Sequence, residues 1–434
     1  MKRAVKNFLV ISILALFVIN LGVFHIDAAQ PVQLRFAWWG NDARHQATLN
    51  AIKAYTQKNP NVKIIGEYSG FGTFYQKILT QLAGRNAADI IQIDYKWIND
   101  LAAHGRVFVD MNKMTKIIDM SGFDKKFIQE NCAVGNYILG LPAGISALGL
   151  IGNATLLKQA GITLNQNWDW DKLIEAGIAL QKYDNTKHLL YMKSIHYYYM
   201  FKIMLKQKTG KDFINPDYTL AFSQKDLIEV LTYFRKLIDL GVVPPLEKTV
   251  LFDGGDPDQN PYWLKGDYGF NSNQASKLAA IISASKFEIG VARYPIYPKA
   301  KNPGLSITPS QIISINSQSK HINEAAKFID WMFNDPEAIQ ILGDVRGLPA
   351  VKHAQKLLVE KNMLDKRIVD LVEMTMPYSG GAENGPSLNQ EIQTIVEDYI
   401  LKVGFKRTTP EKAAVDLIKA LQNKLAELKK LNQQ

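Results

Sequence analysis

The chain has 434 residues, 47% of them hydrophobic, which is enough for two or three ordinary domains with buried cores. Its formal net charge is +10, but the basic residues form no block with interleaved aromatic residues, and this argues against a nucleic-acid-binding protein. A single cysteine, Cys132, excludes an internal disulfide. Folding therefore depends on burial alone, and we expect Cys132 to be a small core residue.

An export signal precedes the first predicted strand. Three basic residues stand before an apolar run over residues 8–24, and Ala28 and Ala29 follow as small residues near a cleavage point. The pattern predicts a signal peptide over residues 1–29, and the length of the run leaves open that it is kept as an N-terminal anchor. Because no cysteine lies near the end of the run, the sequence predicts an exported protein that is not a lipoprotein, in the periplasm or at the outer face of the cytoplasmic membrane.

The first third of the chain alternates between strand and helix patterns. The predicted elements are a strand over residues 32–37, a helix over 42–58, a strand over 62–68, a helix from Thr73 that ends near Gly84, and a strand over 89–94. This β-α-β-α-β order implies a parallel sheet with right-handed crossovers. Ligands bind such sheets beyond the carboxyl ends of the strands, so we expect a site at these three ends.

All three strand ends carry aromatic or polar residues, namely Trp38-Trp39-Gly40, Tyr68 with Phe71, and Asp94-Tyr95. Neighbouring residues of a strand point to opposite faces, so one core cannot easily take both indoles. Two interpretations stay open. Either one indole is core and the other lies over a loop, or at least one forms a flat platform in a ligand cleft.

The middle of the chain is mostly helical, and its few strands are short. Helices are predicted after caps at Asp169 and Ser223, then from Ile322 to Pro336, and finally from Thr408 onward. Short strands are predicted over residues 268–270, 287–292 and 311–315. With no repeat and no low-complexity linker, the chain is predicted to form two α/β lobes.

The sequence matches no common catalytic template. It has no Gly-x-Ser-x-Gly, His-Glu-x-x-His, Walker or dinucleotide-binding motif. The acidic loop of Asp253, Asp256 and Asp258 lacks the spacing of a calcium loop, and we predict no metal or cofactor.

The aromatic and planar polar residues suit sugars, which stack their C–H faces on rings and bond their hydroxyls to forked groups. Further candidates of this kind are Tyr198 in the Tyr197–Tyr199 cluster, Trp263, Asn271, Ser272 and Arg346. Each has a structural alternative: the tyrosines can be a helix face packing inward, Trp263 a core residue, the asparagine run a turn, and Arg346 a partner of Asp344 or a helix cap.

Four stretches resemble the extracellular solute-binding proteins of bacterial ABC sugar importers. They begin at Trp38-Trp39-Gly40, Asp89-Ile90-Ile91-Gln92-Ile93-Asp94, Gly140-Leu141-Pro142 and Ser314-Ile315-Asn316, the last continuing to Gly347-Leu348-Pro349. The resemblance implies a two-lobed, type II periplasmic-binding-protein-like α/β fold with a ligand cleft between the lobes. It places the first lobe at residues 30–142 plus 311–365 and the second at 143–310 plus 366–434, with crossings near 143–147 and 305–310.

The resemblance also implies ligand contacts, at Trp38, Trp39, Tyr68, Asp94, Ser146, Trp263, Asn271 and Arg346. Within the family, Trp-Trp-Gly followed by Arg44-His45 is most similar to binders of oligosaccharides from pectin and related uronic-acid polymers. Arg44, in the first turn of its helix, is expected to hold a sugar carboxylate together with the helix N–H groups. The alternative for Arg44 is an ordinary surface residue.

The leading hypothesis is a monomeric, non-enzymatic protein that binds an oligosaccharide by hinge closure and delivers it to the transmembrane subunits of an ABC permease. Two alternatives stay open: the same clamp for a non-sugar solute such as a peptide or polyamine, and a secreted enzyme acting on glycosides, whose paired carboxylates one sequence cannot single out.

Overall fold

The computed structural model describes residues 31–103, 105–164, 167–253 and 259–431. The predicted signal peptide, residues 1–29, lies outside these residues. None of the helices in the described ranges is both long and apolar enough to cross a bilayer.

The chain starts with the predicted β-α-β-α-β unit. Its elements are β1 (Val32–Trp39), α1 (Asp42–Lys58), β2 (Val62–Ser69), α2 (Phe71–Ala83) and β3 (Ile90–Ile93). β1 pairs in parallel with β2 on one side and with β3 on the other, which confirms the predicted sheet. Asn41 caps α1 by accepting a hydrogen bond from the Arg44 N–H, and Gly84 follows the end of α2, as predicted.

The first strand is longer than predicted. β1 continues through Trp38 and Trp39, because β2 pairs with it as far as Ser69. The two indoles are therefore strand residues, and the connection to α1 consists only of Gly40 and Asn41.

Two long antiparallel strands link the two halves of the main sheet. These are β6 (Leu141–Asn153) and β10 (Ile307–Ile315). With β7 (His188–Tyr191), β8 (Tyr268–Gln274) and β9 (Ile289–Arg293) beside β6, the strand order is β2-β1-β3-β10-β6-β8-β7, and β9 pairs with β6 off this path. β6 pairs with β10 over residues 141–147 and with β8 and β9 over residues 148–153. Of the residues predicted as crossings, 143–147 and 307–310 lie in β6 and β10. The remaining strands are β4 (Ala133–Val134), β5 (Tyr137–Ile138) and β11 (Leu348–Pro349).

Helices cover both parts of the sheet. In chain order they are α3 (Ile98–Ala103), α4 (Lys125–Asn131), α5 (Ala154–Gln159), α6 (Trp170–Tyr183), α7 (Ser194–Thr209), α8 (Gln224–Asp239), α9 (Leu246–Val250), α10 (Pro261–Leu264), α11 (Leu278–Ala284), α12 (Ile322–Asn334), α13 (Pro336–Leu342), α14 (Lys352–Glu360), α15 (Lys366–Thr375), α16 (Gln390–Gly404) and α17 (Pro410–Leu431). Asp169 caps α6 and Ser223 caps α8, both as predicted.

The buried apolar residues form two clusters. One surrounds β1, β3 and α12 and includes Cys132, which is a core residue as predicted. The other joins α6, α7 and α8 to the C-terminal helices α16 and α17. The last helices therefore pack against the part of the chain that follows the first crossing, and the paired strands β6 and β10 connect the two bodies.

Candidate ligand-binding site

The paired indoles are both buried, on opposite faces of β1. Trp38 lies beside Phe36, and its Nε1 donates a hydrogen bond to Nδ1 of His45 at 3.1 Å. Trp39 packs against Phe74 of α2 and against Trp97. Because both faces of this sheet are covered, one indole is buried on each face, and neither forms an exposed platform.

Two other predicted residues present the exposed aromatic surface at these strand ends. Tyr68 is 46% exposed and stacks on Trp38 with a centroid separation of 5.1 Å. Phe71 is 53% exposed and stacks on Trp97 at 5.7 Å. Large exposed rings supported from behind by other rings are suitable surfaces for the C–H face of a sugar.

Arg44 folds back over the end of β1. Its Nε donates to the Val345 carbonyl oxygen at 2.9 Å, and its Nη1 donates to the Trp39 carbonyl oxygen at 3.4 Å. The third residue of the Trp-Trp-Gly motif permits this path, since a Cβ at Gly40 would lie only 2.6 Å from Cδ of Arg44. Glycine at position 40 is therefore explained by the close approach of the arginine.

Arg346 lies buried behind Arg44. Its Nη2 donates to Thr48 Oγ1 at 2.9 Å and its Nε to Gln92 Oε1 at 3.3 Å, while the buried Nη1 has no hydrogen-bond partner. These contacts replace the predicted alternatives of a pair with Asp344 or a helix cap.

The two arginines form a positively charged region without an acidic partner. Burial lowers the pKa of Arg44 to about 10, and burial together with the charge of Arg44 lowers the pKa of Arg346 to about 9. Within the described ranges, no carboxylate forms an ion pair with either guanidinium. Burial lowers the pKa of His45; the charge of Asp42 opposes this shift and both arginines add to it, and Nδ1 of the ring accepts the Trp38 N–H. Such a region favours an anionic group on a ligand.

A cavity of about 200 Å³ lies where the two bodies face each other. On the β3 side it is lined by Tyr95 and Asn99, and on the opposite side by Tyr199 and Lys202 of α7. Gln274, at the end of β8, and the first residues of β10 complete the wall. A segment that we call the strap, residues 380–388, forms a further part of the wall, and most of its residues contribute to the lining.

Both lysines that line this cavity are paired with carboxylates of its wall. Lys202 binds Glu383 of the strap at 2.5 Å, and Lys206 binds Asp212 at 2.7 Å. Lys202 also lies 4.8 Å from the ring centroid of Tyr198. Burial lowers the pKa of Lys202, and the neighbouring Glu383 opposes that shift.

One polar contact joins the β3 side directly to α7. Asp94 caps the turn after β3 by accepting from the Lys96 N–H at 3.0 Å, and burial raises the pKa of Asp94. This turn positions Lys96, whose Nζ donates to the Tyr199 hydroxyl at 3.2 Å. The two bodies are thus in contact across the cavity. No group of three or more His, Cys, Asp or Glu side chains in the described ranges is arranged to hold a metal ion.

Comparison with known proteins agrees with this geometry. Residues 41–339 match the family model described as bacterial extracellular solute-binding protein. The chain belongs to that family. A periplasmic solute-binding protein from Pectobacterium atrosepticum has a similar structure, with a TM-score of 0.84, 25% identity, and coverage of 91% of this chain and 99% of that one.

Two further relatives are named for a ligand. A periplasmic oligogalacturonide-binding protein from Yersinia enterocolitica, solved with saturated digalacturonic acid, has a TM-score of 0.82 and 22% identity, and covers 91% of this chain and 99% of its own. An arabinooligosaccharide-binding protein from Halalkalibacterium halodurans is 24% identical over 247 residues, which is 55% of this chain. The match spans about half, 51%, of that curated relative. The structural likenesses confirm the two-lobed, type II fold.

Several residues predicted as ligand contacts of this solute-binding protein are instead part of its core. Trp263 is fully buried, packs on Phe287 and donates to Ser285 Oγ at 3.0 Å. Asn271 and Ser272 are buried inside β8, because that strand continues to Gln274 between β6 and β7 rather than ending at residue 270.

Two other predicted contacts lie next to the cavity without lining it. Tyr198 points inward on α7 and donates to the Ser387 carbonyl oxygen at 3.2 Å, so its neighbour Tyr199 is the tyrosine that faces the cavity. Ser146 of β6 donates to Oε1 of Gln274 at 3.3 Å and therefore supports a lining residue.

The sequence reasoning missed most of the cavity wall. Tyr199, Lys202 and Lys206 have the i, i+3, i+7 spacing of one helix face, a pattern present in the sequence. Gln274 lies four residues beyond residue 270, where the third-last predicted strand ends, so a longer strand at this position would have included it. The Gly380-Gly381-Ala382-Glu383 run was visible as a loop, but nothing local in its sequence connects it to a cavity formed by residues about 180 and 290 positions away.

Proposed function

We propose that this protein is the extracytoplasmic binding component of an ABC importer and that it binds an oligosaccharide between its lobes. The observation that carries the proposal is the cavity enclosed by Tyr95 and Asn99 on one side and by Tyr199 and Lys202 on the other. We assign residues 30–142 plus 311–365 to the first lobe and residues 143–310 plus 366–434 to the second.

The chemistry of this wall fits a carbohydrate. Tyr95 and Tyr199 offer ring faces and hydroxyls, while Asn99 and Gln274 offer planar amides that can bond two neighbouring sugar hydroxyls. Beyond the cavity, the exposed rings of Tyr68 and Phe71 offer further stacking surface at the adjacent strand ends. A ligand of several sugar units can use both regions, whereas a single monosaccharide cannot.

The arginine pair favours an oligosaccharide that contains a uronic acid. Arg44 is half-buried over the end of β1, and the buried Arg346 adds a second positive charge behind it. A sugar carboxylate beside Arg44 would receive a charge-assisted hydrogen bond. The names of the relatives include both a neutral and an acidic oligosaccharide, so the family accommodates either class.

Binding would be coupled to hinge closure and delivery. The antiparallel pair β6 and β10 is the connection about which the lobes would rotate. A ligand that touches both walls stabilises the closed form by its differential affinity, and the closed form is then recognised by the transmembrane subunits of the permease. We propose an exported monomer, held in the periplasm or at the outer face of the cytoplasmic membrane, with its signal segment either cleaved or kept as an anchor.

Isothermal titration calorimetry against neutral and uronic-acid oligosaccharides tests this function. We expect saturable binding of at least one oligosaccharide, accompanied by a smaller radius of gyration in X-ray scattering when the ligand is added. The variant Arg44→Gln separates the two ligand classes, because it should weaken acidic ligands and leave neutral ones unchanged. Absence of binding across the whole panel, with binding of a peptide or polyamine instead, would overturn the proposal.

A further inference from the structure

The strap places a carboxylate inside the proposed sugar cavity. Glu383 accepts a hydrogen bond from Lys202 Nζ at 2.5 Å, and both side chains are largely buried. We propose that Glu383 is a charge selector: by engaging Lys202, it makes the cavity accept a neutral sugar unit and reject a carboxylate. This inference rests on the proposed function, because it concerns which sugar unit occupies the same cavity.

Backbone and side-chain contacts fix the strap on both sides of Glu383. The Gly380 N–H donates to the Leu305 carbonyl oxygen at 2.8 Å. The Asn384 N–H donates to Asp212 Oδ2 at 2.8 Å, and its side-chain amide donates to the Ile214 carbonyl oxygen at 2.7 Å. Glu383 is therefore held in position between two anchored residues, and a ligand would meet its carboxylate within the cavity wall.

Both lysines that line the cavity are already paired with carboxylates. Lys202 is engaged by Glu383 and Lys206 by Asp212, and Glu130 adds a third carboxylate to the wall. A uronate entering here would have to displace Glu383 from Lys202 or lie unpaired beside like charges, and both are unfavourable in a partly desolvated site. A sugar hydroxyl, in contrast, can donate to Glu383 and accept from Lys202 at once.

The arginine pair at the strand ends has the opposite character. Arg44 and Arg346 have no carboxylate partner among the described residues, whereas both cavity lysines have one. The cleft therefore contains one region suited to a neutral sugar unit and one suited to a carboxylate. An oligosaccharide that carries both kinds of unit would bind in one orientation, with its neutral unit toward Tyr199 and its uronate toward Arg44.

Titration of a matched pair of disaccharides tests the role of Glu383. Galactobiose and digalacturonic acid differ only in the oxidation of C6, and dissociation constants are measured for the natural protein and for Glu383→Gln. We expect Glu383→Gln to strengthen digalacturonic acid binding by about tenfold and to change galactobiose binding by less than about twofold. The matched control is Glu229→Gln. Glu229 of α8 pairs with Lys208, which lies on α7 like Lys202 but does not line the cavity, so this variant should change neither constant.

The outcomes separate the inference from the proposed function. If the natural protein binds neither disaccharide nor any other oligosaccharide of the panel, the proposed function fails. If it binds sugar but Glu383→Gln leaves the ratio of the two constants unchanged, or strengthens both ligands equally, the charge selector is overturned. Should Glu383→Gln fail to fold, Lys202→Gln provides the opposite test: it leaves Glu383 unpaired and should weaken the acidic disaccharide about tenfold more than the neutral one.

Discussion

Lys96, on the turn after β3, donates a hydrogen bond from Nζ to the Tyr199 hydroxyl of α7 at 3.2 Å, and the ammonium lies 5.4 Å from the centroid of the same ring. This contact spans the two walls of the proposed cavity. It exists only when the walls are close together, so it stabilises the closed arrangement relative to an open one.

Removing the Tyr199 hydroxyl should therefore weaken ligand binding without removing the ring. For Tyr199→Phe we expect affinity for the bound oligosaccharide to fall about three- to tenfold, because one hydrogen bond to a charged group is lost from the closed state. Calorimetry measures the affinity, and X-ray scattering of the unliganded variant should show a larger radius of gyration.

The matched control is Tyr297→Phe. Tyr297 lies 5.0 Å from the ammonium of Lys208, an arrangement like that of Tyr199 and Lys96, but both of these residues follow the first crossing. Its loss should leave affinity unchanged. If Tyr199→Phe and Tyr297→Phe behave alike, the Lys96 contact does not contribute to closure.

A second prediction concerns Gly40 and the path of Arg44. The variant Gly40→Ala places a Cβ 2.6 Å from Arg44 Cδ and 2.9 Å from Arg44 Cβ, so the arginine must move away from the end of β1. We expect about a tenfold loss of affinity for a uronic-acid oligosaccharide, the equivalent of one charge-assisted hydrogen bond, with little change for a neutral one. Calorimetry with both ligands gives the comparison.

Gly72→Ala is the corresponding control, because a Cβ at Gly72 meets nothing within 4 Å and the residue lies in the first turn of α2. It should bind both ligand classes as the natural protein does. An equal loss of acidic-ligand affinity in both glycine variants would contradict a specific role for the Arg44 path.

The sequence predicted the fold better than it predicted the site. Local patterns located α1 at its observed bounds and found the caps Asp169 and Ser223, because capping and helical periodicity are properties of neighbouring residues. The order of strands and helices in the first third also implied the parallel sheet. Each of these features depends on residues close together in the chain.

Which residues belong to the site depends instead on which faces of the strands are covered by distant parts of the chain. The strand pattern predicts that one core cannot easily take both Trp38 and Trp39, yet both are buried, one on each covered face of the sheet. Asn271 and Ser272 read as a strand end, but pairing of β8 with β6 and β7 extends the strand past them. Burial set by distant segments cannot be read from a single stretch of sequence, and the strap over the cavity is the clearest case.

A third prediction distinguishes the two rings of the aromatic stack: the buried Trp38, which supports it, and the exposed Tyr68, which would contact the ligand. Trp38→Ala removes a fully buried indole and should lower the free energy of unfolding by about 3–5 kcal/mol. Tyr68→Ala removes an exposed ring and should cost about 1 kcal/mol of stability while weakening oligosaccharide binding about tenfold. Urea denaturation and calorimetry measure the two effects.

Tyr183→Ala controls for the loss of an exposed tyrosine, since Tyr183 is exposed at the end of α6. It should alter neither stability nor affinity appreciably. A stable Trp38→Ala protein with weaker binding than Tyr68→Ala would show instead that the indole is the ligand platform.

The last prediction concerns acid stability and His196 of α7. The imidazole is buried, its Nδ1 has no hydrogen-bond partner, and burial lowers its pKa from 6.5 to about 3. Between these two values the unfolded chain binds a proton that the folded chain excludes, so the folded state loses stability as the pH falls below 6.5. The loss approaches about 1.4 kcal/mol per pH unit and amounts to about 2 kcal/mol between pH 7 and pH 5.

Replacing the ring by an uncharged residue, in His196→Gln, should remove this component, whereas the exposed His353→Gln should keep it. Urea denaturation at pH 7 and pH 5 gives the difference for each protein, and an equal loss in all three would show that His196 becomes protonated within the fold.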